Sequence, residues 1–183
     1  MADGIDVQFD DVPAPAAECW LHPAVEVRES VIEGRGLFAR ESFDAGAAVS
    51  RLGGRLVTDS ELDEIFRTSD GYVDTISVCD GVNLVLPPRV ANGYGNHSCE
   101  PNLWWSDAYT LVTRRPVDAG EELTSDYGTS SDSADFVMPC SCGADRCRGR
   151  VTGRDWQRPE LVEIYGQHWV PGLLQKIAAH RQG

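Results

Sequence analysis

Four cysteines of this 183-residue chain have the residue type and spacing to bind a metal ion. Cys140, Cys142 and Cys147 form a Cys-x-Cys-x4-Cys motif, and Cys99 lies upstream in the segment Asn-His-Ser-Cys-Glu-Pro-Asn that begins at Asn96. Four thiolates can close a tetrahedral zinc site, because zinc prefers soft sulfur ligands. If Cys99 is the fourth ligand, one structural zinc ion per chain ties a C-terminal segment to the segment that begins at Asn96.

Other chemistry for these cysteines agrees less well with the sequence. Disulfides need an oxidising compartment, and the residues after Met1 show neither a basic start nor the apolar stretch of a secretory signal. Redox-active cysteines commonly use Cys-x-x-Cys, and that spacing is absent from the sequence. A catalytic zinc keeps one open position, whereas here a fourth cysteine is available. The pattern favours a closed structural site, and we expect Cys19 and Cys79 to be small buried hydrophobic residues.

Asn96 and His97 lie beside Cys99 in a loop of glycines and polar residues. An isolated histidine is more often a satisfied core or surface group than a ligand. Here, however, the asparagine amide and the adjacent backbone each offer a donor and an acceptor. Such a loop can bind a purine edge and a charged amino acid without any phosphate.

Two further segments are ambiguous when taken alone. Glu33-Gly34-Arg35-Gly36 joins two predicted strands, and Gly-x-Gly there is more often a tight turn than a ligand site. It is not a phosphate loop, because no Lys-Ser/Thr pair or following helix accompanies it. Tyr127 lies near the end of the segment Glu121–Gly128, where a tyrosine is usually a packing residue, but a polar loop leads from this segment directly to the cysteine motif.

Together these segments resemble the signature motifs of the SET-domain lysine methyltransferases, in the order that the family shows them. The matching stretches are Gly34–Ala39, Asn96–Asn102, Gly120–Gly128 and Cys140–Cys147. The last resembles the post-SET motif, which in that family shares its zinc with the cysteine of the Asn-His-Ser-Cys motif. The resemblance covers roughly residues 25–150, and four motifs in order make coincidence a poor explanation.

The resemblance implies S-adenosyl-L-methionine as the methyl donor and the side-chain amine of a protein lysine as the acceptor. It also implies a mainly β fold with short helices, made of small curved sheets with a pseudo-knot. By this resemblance, Gly34, Arg35 and Gly36 contact the methionine part of the donor. Asn96 and His97 hold the adenine and the amino-acid end of the donor.

The acceptor side of the site rests on two tyrosines. The resemblance implies that Tyr127 orients the lysine amine and that Tyr72 is the tyrosine across the channel. The family often has Arg-Phe-Ile before Asn-His-Ser, whereas this chain has Gly93-Tyr94-Gly95; we keep Tyr94 among the expected donor-binding residues. The family usually carries Phe or Tyr two residues before the final tyrosine. Here that residue is Ser125, which leaves the number of methyl groups transferred open.

The reaction that the resemblance implies is a direct displacement from a sulfonium by a neutral amine. An unperturbed lysine has a pKa near ~10.4, so its deprotonation at neutral pH costs about 4 kcal/mol. An apolar channel that faces a sulfonium lowers this cost by desolvation and like charge. The enzyme then mainly supplies alignment, and the methyl transfer needs no metal.

Short strands punctuated by glycine must position these residues. The predicted strands are Val25–Val31, Gly36–Arg40, Ala47–Leu52, Arg55–Val57, Tyr72–Val78, Val82–Leu86, Ala108–Arg115 and Glu122–Ser125.

Three helices are predicted from their start signals. The sequence Thr-Asp-Ser-Glu from Thr58 is a capping box and opens a helix to about Thr68. Pro159 and Pro171 can each open a helix in its first turn. The apolar face of the first helix comprises Leu62, Ile65 and Phe66, and the later helices span Glu160–His168 and Gly172–His180.

We divide the chain into four parts. Residues 1–18 carry five acids and no Lys or Arg, which predicts a mobile acidic arm. The SET domain spans residues 25–128, a zinc-stapled post-SET segment spans 129–150, and a helical extension spans 151–183, outside the resemblance.

The net charge of −13 makes direct nucleic-acid binding an improbable role, since phosphate binding needs clustered cations. It suits instead a protein substrate whose accessible lysine lies in a basic segment. No apolar run approaches a membrane span, so we expect a cytoplasmic protein; the sequence does not indicate its oligomeric state. Two alternatives stay open: a catalytically silent SET-like module that binds a protein tail, and a methyltransferase that acts on a non-protein amine.

Overall fold

The computed structural model describes residues 12–182, which form four small antiparallel sheets with few helices. The strands are β1 (Trp20–Leu21), β2 (Val25–Glu29), β3 (Arg35–Ala39), β4 (Ala48–Arg51), β5 (Arg55–Thr58), β6 (Thr75–Cys79), β7 (Val82–Val85), β8 (Leu103–Trp105), β9 (Thr110–Thr113), β10 (Glu122–Leu123), β11 (Val137–Pro139) and β12 (Arg150–Thr152). Their order is β1-β4-β9-β8 in the largest sheet, β10-β3-β2 and β5-β7-β6 in the three-stranded sheets, and β11-β12 in the last. The mainly β fold class predicted from the sequence is confirmed.

The helices are α1 (Asp59–Thr68), α2 (Pro159–Tyr165) and α3 (Pro171–His180). The predicted capping box is present, since the Glu61 amide donates to Oγ1 of Thr58 and the Thr58 amide donates to Oε2 of Glu61. Both C-terminal helices begin with proline, as predicted. The first of them ends at Tyr165, where Gly166 has a positive φ of 55°, which glycine adopts more readily than other residues.

The apolar face of α1, which the sequence predicted, is not buried in the core. No residue of α1 is buried, and 51% of Phe66 is exposed. The helix instead borders a cavity, to which Leu62 and Phe66 contribute their side chains.

Short strands account for most of the differences between prediction and structure. β1, β8, β11 and β12 have two or three residues each, which is too few to give a periodic pattern. The predicted strand Tyr72–Val78 begins only at Thr75, so Tyr72 lies in the irregular segment that precedes it. Residues 96–98 and Ser125 pair in parallel through a bridge at His97.

The C-terminal extension shares the main core instead of forming a separate unit. Tyr165, Trp169 and Leu173 are among its fully buried side chains, and they belong to one cluster with Leu84 and Leu123 of the sheets. Burial of large apolar side chains is the main stabilising term in such a core. The extension therefore belongs to the domain that carries the candidate site.

Residues 1–11 of the predicted acidic arm lie outside the described residues. Residues 12–18 lie against the domain, because Val12 is buried and the Pro13 carbonyl accepts a hydrogen bond from the Tyr109 hydroxyl. Within residues 12–182, no helix has the length and apolar character required to cross a membrane.

Candidate active site

Asn96 joins two segments that are about sixty residues apart in the sequence. Its Nδ2 donates to the carbonyls of Glu33 and Arg35 at 3.1 Å and to Oε1 of Glu122 at 2.8 Å. The structure thus brings the Asn-His loop to the Gly34–Gly36 turn, as the sequence predicted for the donor site. The role of these residues in donor binding stays a prediction.

The same turn has no room for a side chain at Gly36. A Cβ there would overlap Oε1 of Glu122 and would lie 3.1 Å from Nδ2 of Asn96. Both Glu122 oxygens also accept from Oγ of Ser30 at 2.8 Å. A side chain at this position would therefore force the Glu122 carboxylate to move. Sequence reasoning missed Glu122, whose type and position carry no signal of this contact.

Tyr94 also reaches the Gly34–Gly36 turn. The Arg35 guanidinium lies 4.8 Å from the centroid of the Tyr94 ring, within the range of a cation–π contact. The side-chain Nδ2 of Asn92 anchors this loop by donating to the Trp20 carbonyl at 2.9 Å and to Oγ of Ser50 at 2.8 Å. Tyr94 thus lies close to Arg35, which the sequence analysis also placed among the expected donor-binding residues.

His97 is buried, with 4% of its surface exposed. Its Nδ1 accepts from the Tyr127 amide at 3.2 Å, and since an amide can only donate, the ring proton lies on Nε2. That nitrogen is 3.3 Å from Sγ of Cys99. Burial lowers the pKa of His97 to about 4, against the opposing charge of Asp126, so the ring is neutral at pH 7.

The Tyr127 hydroxyl is fixed by a short hydrogen bond that it donates to the Gly95 carbonyl at 2.6 Å. Burial raises the pKa of this phenol, and the nearby Tyr72 and Asp74 raise it further. The hydroxyl therefore keeps its proton at neutral pH, and its oxygen lone pairs remain available as acceptors. Tyr72 is 88% exposed and lines the same cavity as Tyr127.

A cavity of about 930 Å³ opens over Tyr127 and is strongly acidic. Among the described residues that line it, Lys176 is the single cation, and Phe66 and Tyr72 add exposed aromatic surface. A second cavity of about 660 Å³ shares Tyr72 and Asp74 with the first. Tyr94 lines the second cavity and Gly95 the first, whereas Gly34, Arg35, Gly36 and Asn96 line neither. The aspartates that line the first cavity are Asp59, Asp63, Asp74, Asp80, Asp132 and Asp135.

The predicted metal ligands converge in space. Sγ of Cys99 lies 3.8 Å from Sγ of Cys140, which lies 3.7 Å from Sγ of Cys147. Potential ligand atoms of His97, Cys99, Cys140 and Cys142 all lie within 4.8 Å of one another. These residues could hold a metal ion. Cys147 lies at the edge of this group, beside Cys140.

The thiols of this cluster differ in their acidity. Burial raises the pKa of Cys140 to about 11. Burial alone would also raise the pKa of Cys142, but the amides of Cys99 and Ala144 and the neighbouring thiols lower it to about 7. The Arg148 amide donates to Sγ of Cys99 at 3.3 Å, and such donors stabilise a thiolate.

Comparison with known proteins places this geometry in one family. The SET domain model matches residues 34–128, just over half of the chain. The chain belongs to the SET-domain family. Its small antiparallel sheets are also similar to solved structures of that family. One is the methyltransferase domain of human histone-lysine N-methyltransferase SETMAR, with 23% identity, a TM-score of 0.56, and coverage of 72% of this chain and 58% of that one.

A second solved structure is KRYPTONITE in complex with mCHG DNA and SAH, with 25% identity, a TM-score of 0.54, and coverage of 72% of this chain and 29% of that one. Among curated relatives, human histone-lysine N-methyltransferase 2B is 34% identical over 68% of this chain, and Drosophila melanogaster histone-lysine N-methyltransferase ash1 is 30% identical over 87%. The chain spans only 5% and 8% of the lengths of these two relatives.

Proposed function

We propose that this chain is a methyltransferase that transfers a methyl group from S-adenosyl-L-methionine to the side-chain amine of a lysine in a protein. The observation that carries the proposal is the position of Tyr127. This residue lines an acidic cavity, and its hydroxyl is bonded to the Gly95 carbonyl, one residue from the Asn96 that contacts the Gly34–Gly36 turn. The named relatives, which are histone-lysine N-methyltransferases, support the reaction class.

The Tyr127 hydroxyl acts as an acceptor in this proposal. Because its own proton is committed to Gly95, its oxygen accepts an N–H of the incoming amine. That contact turns the nitrogen lone pair away from the tyrosine, toward the donor. The bound donor supplies the methyl group on a sulfonium. Alignment of this kind accounts for large rate factors without acid–base catalysis.

A basic segment is the substrate that best matches the cavity. Six aspartates and a single lysine line it, so a lysine flanked by further Lys or Arg meets complementary charge on entry. The exposed rings of Phe66 and Tyr72 offer apolar contact for the stem of the lysine side chain.

The proposal is tested with labelled S-adenosyl-L-methionine and matched peptides. One peptide carries a lysine flanked by arginines, a second carries the same lysine flanked by glutamates, and a third replaces the target lysine with arginine. We expect methylation of the first, much weaker methylation of the second and none of the third. Donor binding without transfer to any peptide or lysate protein indicates the silent module, and transfer only to small amines indicates the non-protein alternative.

We also propose that Cys99, Cys140, Cys142 and Cys147 hold one structural zinc ion. A zinc–sulfur tetrahedron with bonds of ~2.3 Å has edges of about 3.8 Å, and the two Sγ distances from Cys140 agree with this edge. The proton on Nε2 makes His97 a donor to Cys99 and leaves the fourth ligand position to Cys147.

Elemental analysis of protein purified without added metal should give one zinc ion per chain. Cobalt substitution distinguishes the ligand sets, because thiolate-to-metal charge transfer grows with the number of thiolates. Cys147→Ser should weaken this absorption, whereas Cys79→Ser, the matched control, should leave it unchanged. Absorption that Cys147→Ser does not alter would exclude Cys147 as a ligand.

A further inference from the structure

The C-terminal extension reaches the candidate active site through one buried hydroxyl. The family match ends at residue 128, and the extension begins at residue 151. Nevertheless, the Tyr165 hydroxyl in α2 donates to Oδ2 of Asp126 at 2.7 Å. Asp126 is the residue immediately before Tyr127, and 1% of its side chain is exposed.

Asp126 is the centre of a buried ionic network. Arg148 binds it with two parallel hydrogen bonds, from Nη1 to Oδ2 and from Nη2 to Oδ1, each of 2.7 Å. The Arg148 Nη2 also lies 3.1 Å from Oδ2 of Asp155. Only 5% of the Arg148 side chain is exposed, so the buried charges of Arg148 and Asp126 each need the other to offset their loss of hydration.

The Asp126 carboxylate fixes the turn that carries Tyr127. Its Oδ1 accepts from the Gly128 amide at 3.0 Å and caps the short 3-10 turn Tyr127–Thr129. The Asp126 carbonyl accepts from the Thr129 amide at 3.0 Å and from Oγ1 of Thr129 at 2.6 Å. The two residues that follow Tyr127 are thus hydrogen-bonded to the residue that precedes it.

We propose that Tyr165 is a positioning residue that acts through Asp126 on Tyr127, so that the C-terminal extension completes the active site. This inference rests on the proposed methyl transfer to lysine. The two parallel bonds from Arg148 hold both carboxylate oxygens of Asp126 in one plane. The Tyr165 hydroxyl approaches Oδ2 from a different element and ties the same carboxylate to α2. A displaced Asp126 shifts the Tyr127 backbone and moves its hydroxyl relative to the acceptor amine.

The test compares two conservative variants that each lose one buried tyrosine hydroxyl. Tyr165→Phe removes the contact with Asp126, whereas Tyr109→Phe removes a contact with the Pro13 carbonyl, which lies outside the site. Each variant is measured for melting temperature, zinc content, affinity for S-adenosylhomocysteine, and kcat and KM with the arginine-flanked lysine peptide. Hydrogen exchange at the amides of residues 127–129 reports on the turn without any turnover.

We expect Tyr165→Phe to lower kcat at least tenfold, with KM, donor affinity and zinc content within about twofold of the wild type, because small errors of position act on the oriented step. Exchange at residues 127–129 should accelerate in this variant only. Tyr109→Phe should lose similar thermal stability and keep its kcat.

Equal kcat values for Tyr165→Phe and the wild type, or equal loss in both variants, would overturn the inference. A wild type that binds the donor but methylates no lysine refutes the proposed function instead. In that case, unchanged exchange at residues 127–129 in Tyr165→Phe overturns the positioning role, and faster exchange supports it.

Discussion

Gly36→Ala tests the geometry of the Gly34–Gly36 turn most sharply. The added Cβ would overlap Oε1 of Glu122, so the carboxylate must retreat until carbon and oxygen reach ordinary contact. That movement breaks the hydrogen bonds that Glu122 accepts from Asn96 and Ser30, all of 2.8 Å. The variant therefore disturbs Asn96 without changing Asn96 itself.

The loss in the free energy of unfolding follows from the hydrogen bonds to Glu122 that are broken. Hydrogen bonds to a charged group contribute about 1.5–3 kcal/mol each when well shielded. Glu122 is partly exposed, so we expect a total loss of about 1–3 kcal/mol in the free energy of unfolding. For a chain of this length, this loss lowers the melting temperature by roughly 3–10 °C.

Thermal melting and calorimetry with S-adenosylhomocysteine measure the two effects. We expect donor affinity to fall at least tenfold, because the Asn96 amide loses its fixed position. Glu122→Ala serves as the matched background, since it clears the space and Gly36→Ala should cost little more there. Unchanged melting temperature and donor affinity in Gly36→Ala would refute this description of the turn.

Two further predictions concern charge and pH. Burial raises the pKa of Asp74, so its ionised carboxylate lowers the stability of the fold as pH rises above the usual range of the group. Asp74→Asn should therefore not lower the melting temperature at pH 7. The same variant should bind an arginine-flanked peptide more weakly, as measured by fluorescence anisotropy, and should keep its donor affinity. Burial raises the pKa of Tyr109 to about 12. The contribution of Tyr109 to the free energy of unfolding is therefore complete below about pH 10 and is lost as pH rises through 12. Chemical denaturation should show that this free energy falls more steeply with alkaline pH in the wild type than in Tyr109→Phe.

The sequence predicted those parts of the site that local motifs encode. The Asn-His loop, the Gly34–Gly36 turn and the segment that ends at Tyr127 are recognisable because fixed residue types recur at fixed spacing. The structure brings Asn96 to that turn and His97 to Tyr127. Cys99, Cys140 and Cys142 also converge. The helix start at Thr58 was predictable because a capping box is a local hydrogen-bonding pattern.

Contacts between distant elements carried no such signal. Asp126 binds Arg148 and Tyr165, which are 22 and 39 residues away, and nothing in the local sequence of either residue indicates a partner. The exposed side chain of Phe66 shows a second limit of predicting structure from sequence. An apolar helix face predicts contact with apolar surface, but periodicity does not distinguish a packed core from the wall of a cavity.

The central claim, methyl transfer to lysine oriented by Tyr127, is tested most directly by mass spectrometry of the arginine-flanked peptide after reaction with the wild type and with Tyr127→Phe. Donor affinity is measured on the same samples. We predict methylation of the target lysine by the wild type, and turnover at least ~100-fold lower in Tyr127→Phe with unchanged affinity for S-adenosylhomocysteine. Near-normal turnover in Tyr127→Phe, or no methylated lysine with a wild type that binds the donor, would contradict it.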